Sequence, residues 1–189
     1  ANDVNTTAAG NIRFSDLEGA STIAVKGAAT VGQLDTVGIT ISDGDATGSE
    51  NLSTIVGVLT LANIETLTVN AVDDAEITQS AAASAALSTV TLTGSGNHNF
   101  ITGNMASINF NLNASESTST NVLDATAFAT NGIAIQGGSG ADTITGSVSA
   151  DSITGGAGND TIINRAAAAA TAAADTIAGG AGTDTFQLN

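Results

Sequence analysis

The side chains best placed to do chemistry are five aspartates near the C-terminal end. Asp142, Asp151, Asp160, Asp175 and Asp184 each precede a Ser or Thr and then a large apolar residue, as in Asp142-Thr143-Ile144 and Asp184-Thr185-Phe186. The surrounding sequence reads GGSGADTIT (137–145), GSVSADSIT (146–154), GGAGNDTII (155–163) and, after an interruption, GGAGTDTFQ (179–187). The shared pattern is Gly-Gly-x-Gly-x-Asp-x-U-x, with U a large apolar residue. Three copies are complete; 146–154 keeps Gly146, Asp151 and Ile153, and a half copy survives as 174–178. A Gly-rich run can turn through dihedrals that side chains resist, and such a turn points peptide carbonyls inward while the Asp adds a carboxylate. Oxygen-only ligands on a flexible turn suit a hard cation that takes six to eight oxygens, Ca²⁺ rather than Zn²⁺.

The elements that position these residues follow from the same repeat. Asp-x-U-x reads as a short strand whose single U side chain faces inward. Two nonamers make one coil of a flattened right-handed spiral, so units eighteen residues apart stack on one edge, as Asp142 and Asp160 should. Between Ile163 and Gly179 lie fifteen residues, one nonamer plus six. If the six loop out, Asp151 stacks with Asp175 and Asp160 with Asp184. Ile144, Ile153, Ile162, Ile177 and Phe186 then form two inner columns. A flexible Gly-rich linker is the alternative, but a linker needs no regular Asp or Ile.

Residues 137–187 resemble the β-roll of RTX proteins, the calcium-binding nonapeptide family exported from Gram-negative bacteria by type I secretion. The resemblance implies that turn carbonyls and the Asp of each nonamer bind Ca²⁺. It carries this role to Gly137, Gly138, Ser139, Gly140 and Asp142; to Gly155, Gly156, Ala157, Gly158 and Asp160; and to Gly179, Gly180, Ala181, Gly182 and Asp184. Asp151 and Asp175 match the motif only at the Asp.

Composition narrows the class. Aromatic residues are 3% of the 189, with five Phe and no Trp or Tyr, so a bulky globular core is not available. A solenoid needs only a thin core repeated along an axis. The formal charge of −15, against Arg13, Lys26 and Arg165 alone, argues against nucleic acid as a partner. Metal is expected to offset much of it. An acidic disordered segment is disfavoured by the 42% hydrophobic content. The absence of Cys excludes disulfides and thiolate sites and suits a protein exported unfolded. Absence of Pro suits long strand ladders. No apolar run reaches eighteen residues, so no membrane insertion is expected. The chain starts at Ala1 without Met or a signal-peptide pattern and stops at Asn189, which reads as a piece of a longer protein whose secretion signal is missing or removed.

Ahead of the repeats, residues 1–20 read as an N-terminal cap or linker, with a short helix at Ser15–Glu18. Residues 21–136 hold short alternating strands: STIAVKG (21–27), VGITISDG (37–44), NIETLTVNA (63–71), LSTVTLTGSG (87–96), ASINFNLNA (106–114) and GIAIQGG (132–138). Taking Ile23, Ile39, Leu67, Val90, Ile108 and Ile133 as equivalent gives irregular steps in the range of one β-helix coil. An antiparallel meander or sandwich is the alternative, with Gly44-Asp45 and Asn70-Ala71 as weak hairpin signals. Ala81–Ala86 and Ala166–Ala174 read as loops or single helical turns on the solenoid. Asp43, Asp45 and Glu50 could form a second calcium turn or a solvated acidic one; Asp73, Asp74 and Glu76 are a weaker version. His98, the only imidazole, reads as a surface turn, with no acidic residue within fifteen positions in sequence. No HExxH, GxSxG or P-loop is present. The paired Thr of Thr66-Thr68 and Thr89-Thr91-Thr93 would need equal coils to make an ice-binding face.

The expected fold is therefore all-β, a right-handed parallel β-helix and β-roll solenoid with calcium-binding turns at the C-terminal end, the roll occupying 137–189. The expected function is structural and non-enzymatic, in an extracellular protein at the bacterial cell surface. The Thr/Ala-rich coils resemble Gram-negative surface-layer proteins, which implies self-association into a lattice or filament and contact with cell-surface polysaccharide. A non-catalytic module of a secreted protease or lipase, or an adhesin segment, is the alternative.

Overall fold

The computed structural model describes residues 2–5, 10–15, 23–26, 35–42, 58–72, 74–79, 86–103, 110–128, 131–165 and 174–189. Its strands alternate between two sheets. The first sheet stacks β1 (Asn2–Asn5), β3 (Ile23–Lys26), β5 (Val58–Ala62), β7 (Ala75–Gln79), β9 (His98–Ile101), β11 (Asn121–Asp124), β13 (Thr143–Thr145), β15 (Thr161–Asn164) and β17 (Thr185–Leu188) in that order. The second stacks β2 (Gly10–Ser15), β4 (Thr36–Ser42), β6 (Thr66–Ala71), β8 (Thr89–Gly94), β10 (Phe110–Ser117), β12 (Ile133–Gln136), β14 (Ser152–Ala157) and β16 (Thr176–Ala181). Odd strands in one sheet and even strands in the other mean that each coil gives one strand to each face. Every pairing among the described residues is parallel, from β1 with β3 to β15 with β17. That is a β-solenoid, and the antiparallel alternative is excluded.

Coil length changes along the axis. Leu67, Val90, Leu112 and Ile135 face one another in the second sheet, at steps of 23, 22 and 23 residues. From Ile135 to Ile153 the step is 18, and from Ile153 to Ile177 it is 24. The expected equivalences need correction in three places. Ile23 belongs to the first sheet, not with Ile39. Leu67 faces Val37, while Ile39 faces Val69. Val90 faces Leu112, and Ile133 faces Phe110; Ile108 lies outside the described residues. Period-2 alternation leaves the slip by two residues undetermined, because either choice keeps the same side chains inward.

Alternation of Thr or Asn with aliphatic residues makes described strands such as β6, β8 and β13 apolar inside and more polar outside. In β6 the inward residues are Leu67, Val69 and Ala71, all fully buried. The roll strand β13 buries one apolar side chain, Ile144, and β15 buries Ile162. A fully buried aliphatic side chain contributes about 1.5–3 kcal/mol, so the core thins sharply where the Gly-rich turns begin. Strands β1 and β2 fall within 1–20, where a cap was expected, and both join the sheets in parallel. Residues 16–18 of the expected helical turn lie outside the described residues, as do 81–85, 166–173 and the acidic turn with Asp43, Asp45 and Glu50.

Candidate metal centre

Among the described residues, the turns between even strands and the following odd strands pile up on one edge of the solenoid. The loop-out arithmetic holds: Ser152 faces Thr176 and Thr161 faces Thr185. Turns 137–142, 155–160 and 179–184 therefore share one edge, and Asp151 stacks with Asp175 on the other. Backbone bonds tie turn to turn, with Ala157 N–H donating to Gly138 O at 3.0 Å and Gly158 N–H to Ala181 O at 2.8 Å. The close approach requires glycine. Gly156 and Gly180 have φ of +118° and +106°, and a Cβ on Gly156 would lie 2.1 Å from Gly138 O.

The aspartates form two ladders. Oδ1 of each accepts the backbone N–H one coil earlier: Asp184 from Asp160 at 3.0 Å, Asp160 from Asp142 at 2.8 Å, and Asp175 from Asp151 at 2.8 Å. Asp142 and Asp160 are each 1% exposed and Asp151 is 3% exposed. Burial pushes all three carboxyl groups above the ordinary aspartate range, opposed by their hydrogen bonds and reinforced by the next Asp in the ladder.

Satisfaction of these carboxylates is uneven. Oδ2 of Asp142 accepts Gly138 N–H at 2.6 Å, and that of Asp151 accepts Ser147 N–H at 2.6 Å. Oδ2 of Asp160 is buried with no partner. It points at Gly155, where a Cβ would meet Asp160 Oδ2 and Gly179 O at 2.3 Å each. An unpartnered buried anionic oxygen beside a peptide carbonyl has the chemistry of a hard-cation site. Among the described residues no group of three or more His, Cys, Asp or Glu side chains is arranged for a metal. A cation at these turns would thus be held mainly by carbonyls, with one carboxylate per turn.

The family described as the RTX calcium-binding nonapeptide repeat (4 copies) matches residues 134–164 and 168–188. These turns are RTX calcium-binding nonapeptide repeats. Calcium is accordingly the ion these repeats bind, and the oxygen donors at the turns are compatible with it. No curated protein and no solved structure matches the chain.

Sequence reasoning missed three residues and misplaced one. Asn121 occupies the ladder position directly before Asp142, facing His98 on its other side. Ser117 and Ser147, both fully buried, bond to Asn121 and Asp151. The readable signal was Asn121-Val122-Leu123, an Asn-x-U version of Asp-x-U. His98 is not a surface turn: it starts β9 facing inward at 2% exposure, with Nε2 3.0 Å from Thr93 O. Burial lowers its pKa, and the coil brings Asp74 near it despite their separation in sequence. Asp74 itself accepts Asn97 N–H at 2.9 Å, a turn cap rather than a free ligand; Asp73 lies outside the described residues.

Proposed function

We propose that this chain is a non-catalytic structural segment of an exported extracellular protein, in which calcium completes the fold of residues 137–189 and promotes assembly into a surface-layer lattice. The observation that supports it most is the buried, unpartnered Oδ2 of Asp160 set against Gly179 O between stacked glycine turns. In this reading the complete motifs, Gly137, Gly138, Ser139, Gly140 and Asp142; Gly155, Gly156, Ala157, Gly158 and Asp160; and Gly179, Gly180, Ala181, Gly182 and Asp184, would hold the ions. Asp151 and Asp175 would supply single carboxylates on the opposite edge. Calcium would supply positive charge and flexible oxygen coordination, while the residues themselves orient carbonyls, exclude water and stack the coils. Residues 21–136 would be the irregular β-helix coils of the body and 1–20 an N-terminal cap or linker.

Support for assembly comes from charge and edges. A net charge of −15 opposes association until divalent ions bridge it. A solenoid exposes strand edges at its ends, and such edges template pairing unless they are capped. Type I secretion, a cell-surface location and polysaccharide contact belong to the same reading. The test is light scattering and electron microscopy of the chain titrated with Ca²⁺, with Mg²⁺ and Na⁺ controls at matched ionic strength. The roll should fold first and ordered sheets or filaments should follow at higher Ca²⁺. A folded chain that stays monomeric throughout would overturn the lattice reading.

A further inference from the structure

The edge that carries the glycine turns extends one coil beyond the motif. The turn between β10 and β11 lies directly against the first nonapeptide turn: Ser139 N–H donates to Ser117 O at 3.1 Å. At this junction Asn121 is fully buried. Its Nδ2 donates to Asp142 Oδ1 at 2.7 Å and to Ser119 O at 3.2 Å, and its own N–H donates to the same Oδ1 at 2.8 Å. Its Oδ1 accepts from Ser117 Oγ at 2.9 Å. A carboxylate can only accept, so the partners fix which end of the carboxamide faces Asp142. The nitrogen sits where oxygens converge, since a Cβ on Gly138 would lie 2.5 Å from Ser117 O, 3.0 Å from Ala114 O and 3.1 Å from Asn121 Nδ2.

We propose that the Asn121 carboxamide stands in for a cation at this first junction, closing it without metal, so that calcium dependence begins at the next junction along the edge. The proposal rests on the calcium-binding reading above. A neutral N–H donor among oxygens does what a cation does for them: it presents positive charge to each. The contrast lies at the next junction, where Asp160 stands to Asp142 as Asp142 stands to Asn121: Asp142 Oδ2 has the Gly138 N–H, whereas Asp160 Oδ2 lacks any donor. Backbone geometry differs as well. Gly156, Gly158, Gly180 and Gly182 have φ between +106° and +134°, whereas Gly138 and Gly140 lie outside the left-handed range. On the second edge the first aspartate is likewise filled by protein donors: within its own turn Ser147 donates its hydroxyl to Asp151 Oδ1 at 2.7 Å and its N–H to Oδ2 at 2.6 Å, and from the preceding coil Ile133 N–H donates to Oδ1 at 3.1 Å. Both metal-dependent columns thus grow from a junction satisfied by side chains, and ordering runs from Asn121 toward Asp184.

Two measurements on the full chain test this. In the wild type, hydrogen exchange should show the amides of Asn121 and Gly138 equally protected in chelator and in Ca²⁺. The amide of Asp160 should gain protection only with Ca²⁺. Calorimetric titration of Asn121→Asp should then show one more Ca²⁺ per chain than the wild type, and Asn121→Ala the wild-type number. Protection at Gly138 that requires Ca²⁺, or an Asn121→Asp chain that binds the wild-type number of ions, would overturn the proposal while leaving the calcium reading intact. A wild-type chain that takes up no Ca²⁺ would remove both.

Discussion

Replacing Asp160 by Asn should move stability in opposite directions with and without calcium. In the metal-free chain, Asp160 buries an oxygen with no donor, beside the charge of Asp184 that further raises its pKa. An unsatisfied buried polar group costs about 1–3 kcal/mol, more when charged. Asn at this position keeps an oxygen for the Asp142 N–H and places an NH₂ where Oδ2 stood, facing Gly179 O. Removing the charge and supplying the donor should stabilise the chelated chain by about 1–3 kcal/mol. With calcium the sign reverses. Turn 155–160 lies between turns 137–142 and 179–184, so its carboxylate serves two junctions. An ion present at one hundred times its dissociation constant stabilises by about 2.7 kcal/mol per site, so losing two sites forfeits about 5 kcal/mol. Hydrogen exchange at the roll amides in chelator, and urea denaturation followed by circular dichroism in saturating Ca²⁺, read the two terms. A variant less stable than the wild type in chelator, or one that keeps the full calcium increment, would refute the reasoning.

Two further perturbations follow from the same geometry. Gly156→Ala combines a φ of +118° with a Cβ 2.1 Å from Gly138 O; backbone strain alone costs about 1–3 kcal/mol, so the calcium-loaded roll should lose at least that in urea, and an unchanged midpoint would contradict the turn packing. In chelator, the raised pKa values of Asp142, Asp151 and Asp160 mean that the folded roll binds protons more tightly than the unfolded chain. Its stability should fall as pH rises through those values and be regained on acidification toward the ordinary value of 3.8. The buried His98, lowered from 6.5, acts oppositely and weakens the coil around β9 as pH falls below that value. Hydrogen exchange resolved to β14–β15 and to β9 separates the two, and roll protection that only declines with acid would be decisive against it.

The roll was legible because its repeat is covalent as well as spatial: one Asp and one Ile in every nine residues leave a single register that buries the Ile. The six-residue surplus before Gly179 could even be subtracted, and Ile153 does face Ile177. The earlier coils were legible as strands but not as ladders. Val37, Leu67 and Val90 share one column because coil lengths happen to place them there, and nothing local marks Val37 over Ile39. His98 was misread for a related reason. A Gly/Asn turn was visible on its N-terminal side, but the inward direction of the first strand residue depends on the phase of the coil. Asn121 shows the limit most clearly, since its role is set by Ser117, Ser119 and Asp142, partners up to twenty-one residues away.

Register, unlike coil length, is shared by every turn of this solenoid. The 18 residues from Ile135 to Ile153 and the 24 from Ile153 to Ile177 each complete one circuit. In the history of the gene, this makes some rearrangements silent and others ruinous. A tandem duplication of eighteen codons inserts a whole coil, lengthens both aspartate ladders at once and leaves every downstream residue on its old face. A duplication of nine sends all later turns to the opposite edge, setting complete motifs against degenerate ones. The six surplus residues between Ile163 and Gly179 disturb neither column, since Ser152 still faces Thr176 and Thr161 faces Thr185. Such a gene can vary its length freely in whole circuits while its point substitutions remain tightly constrained.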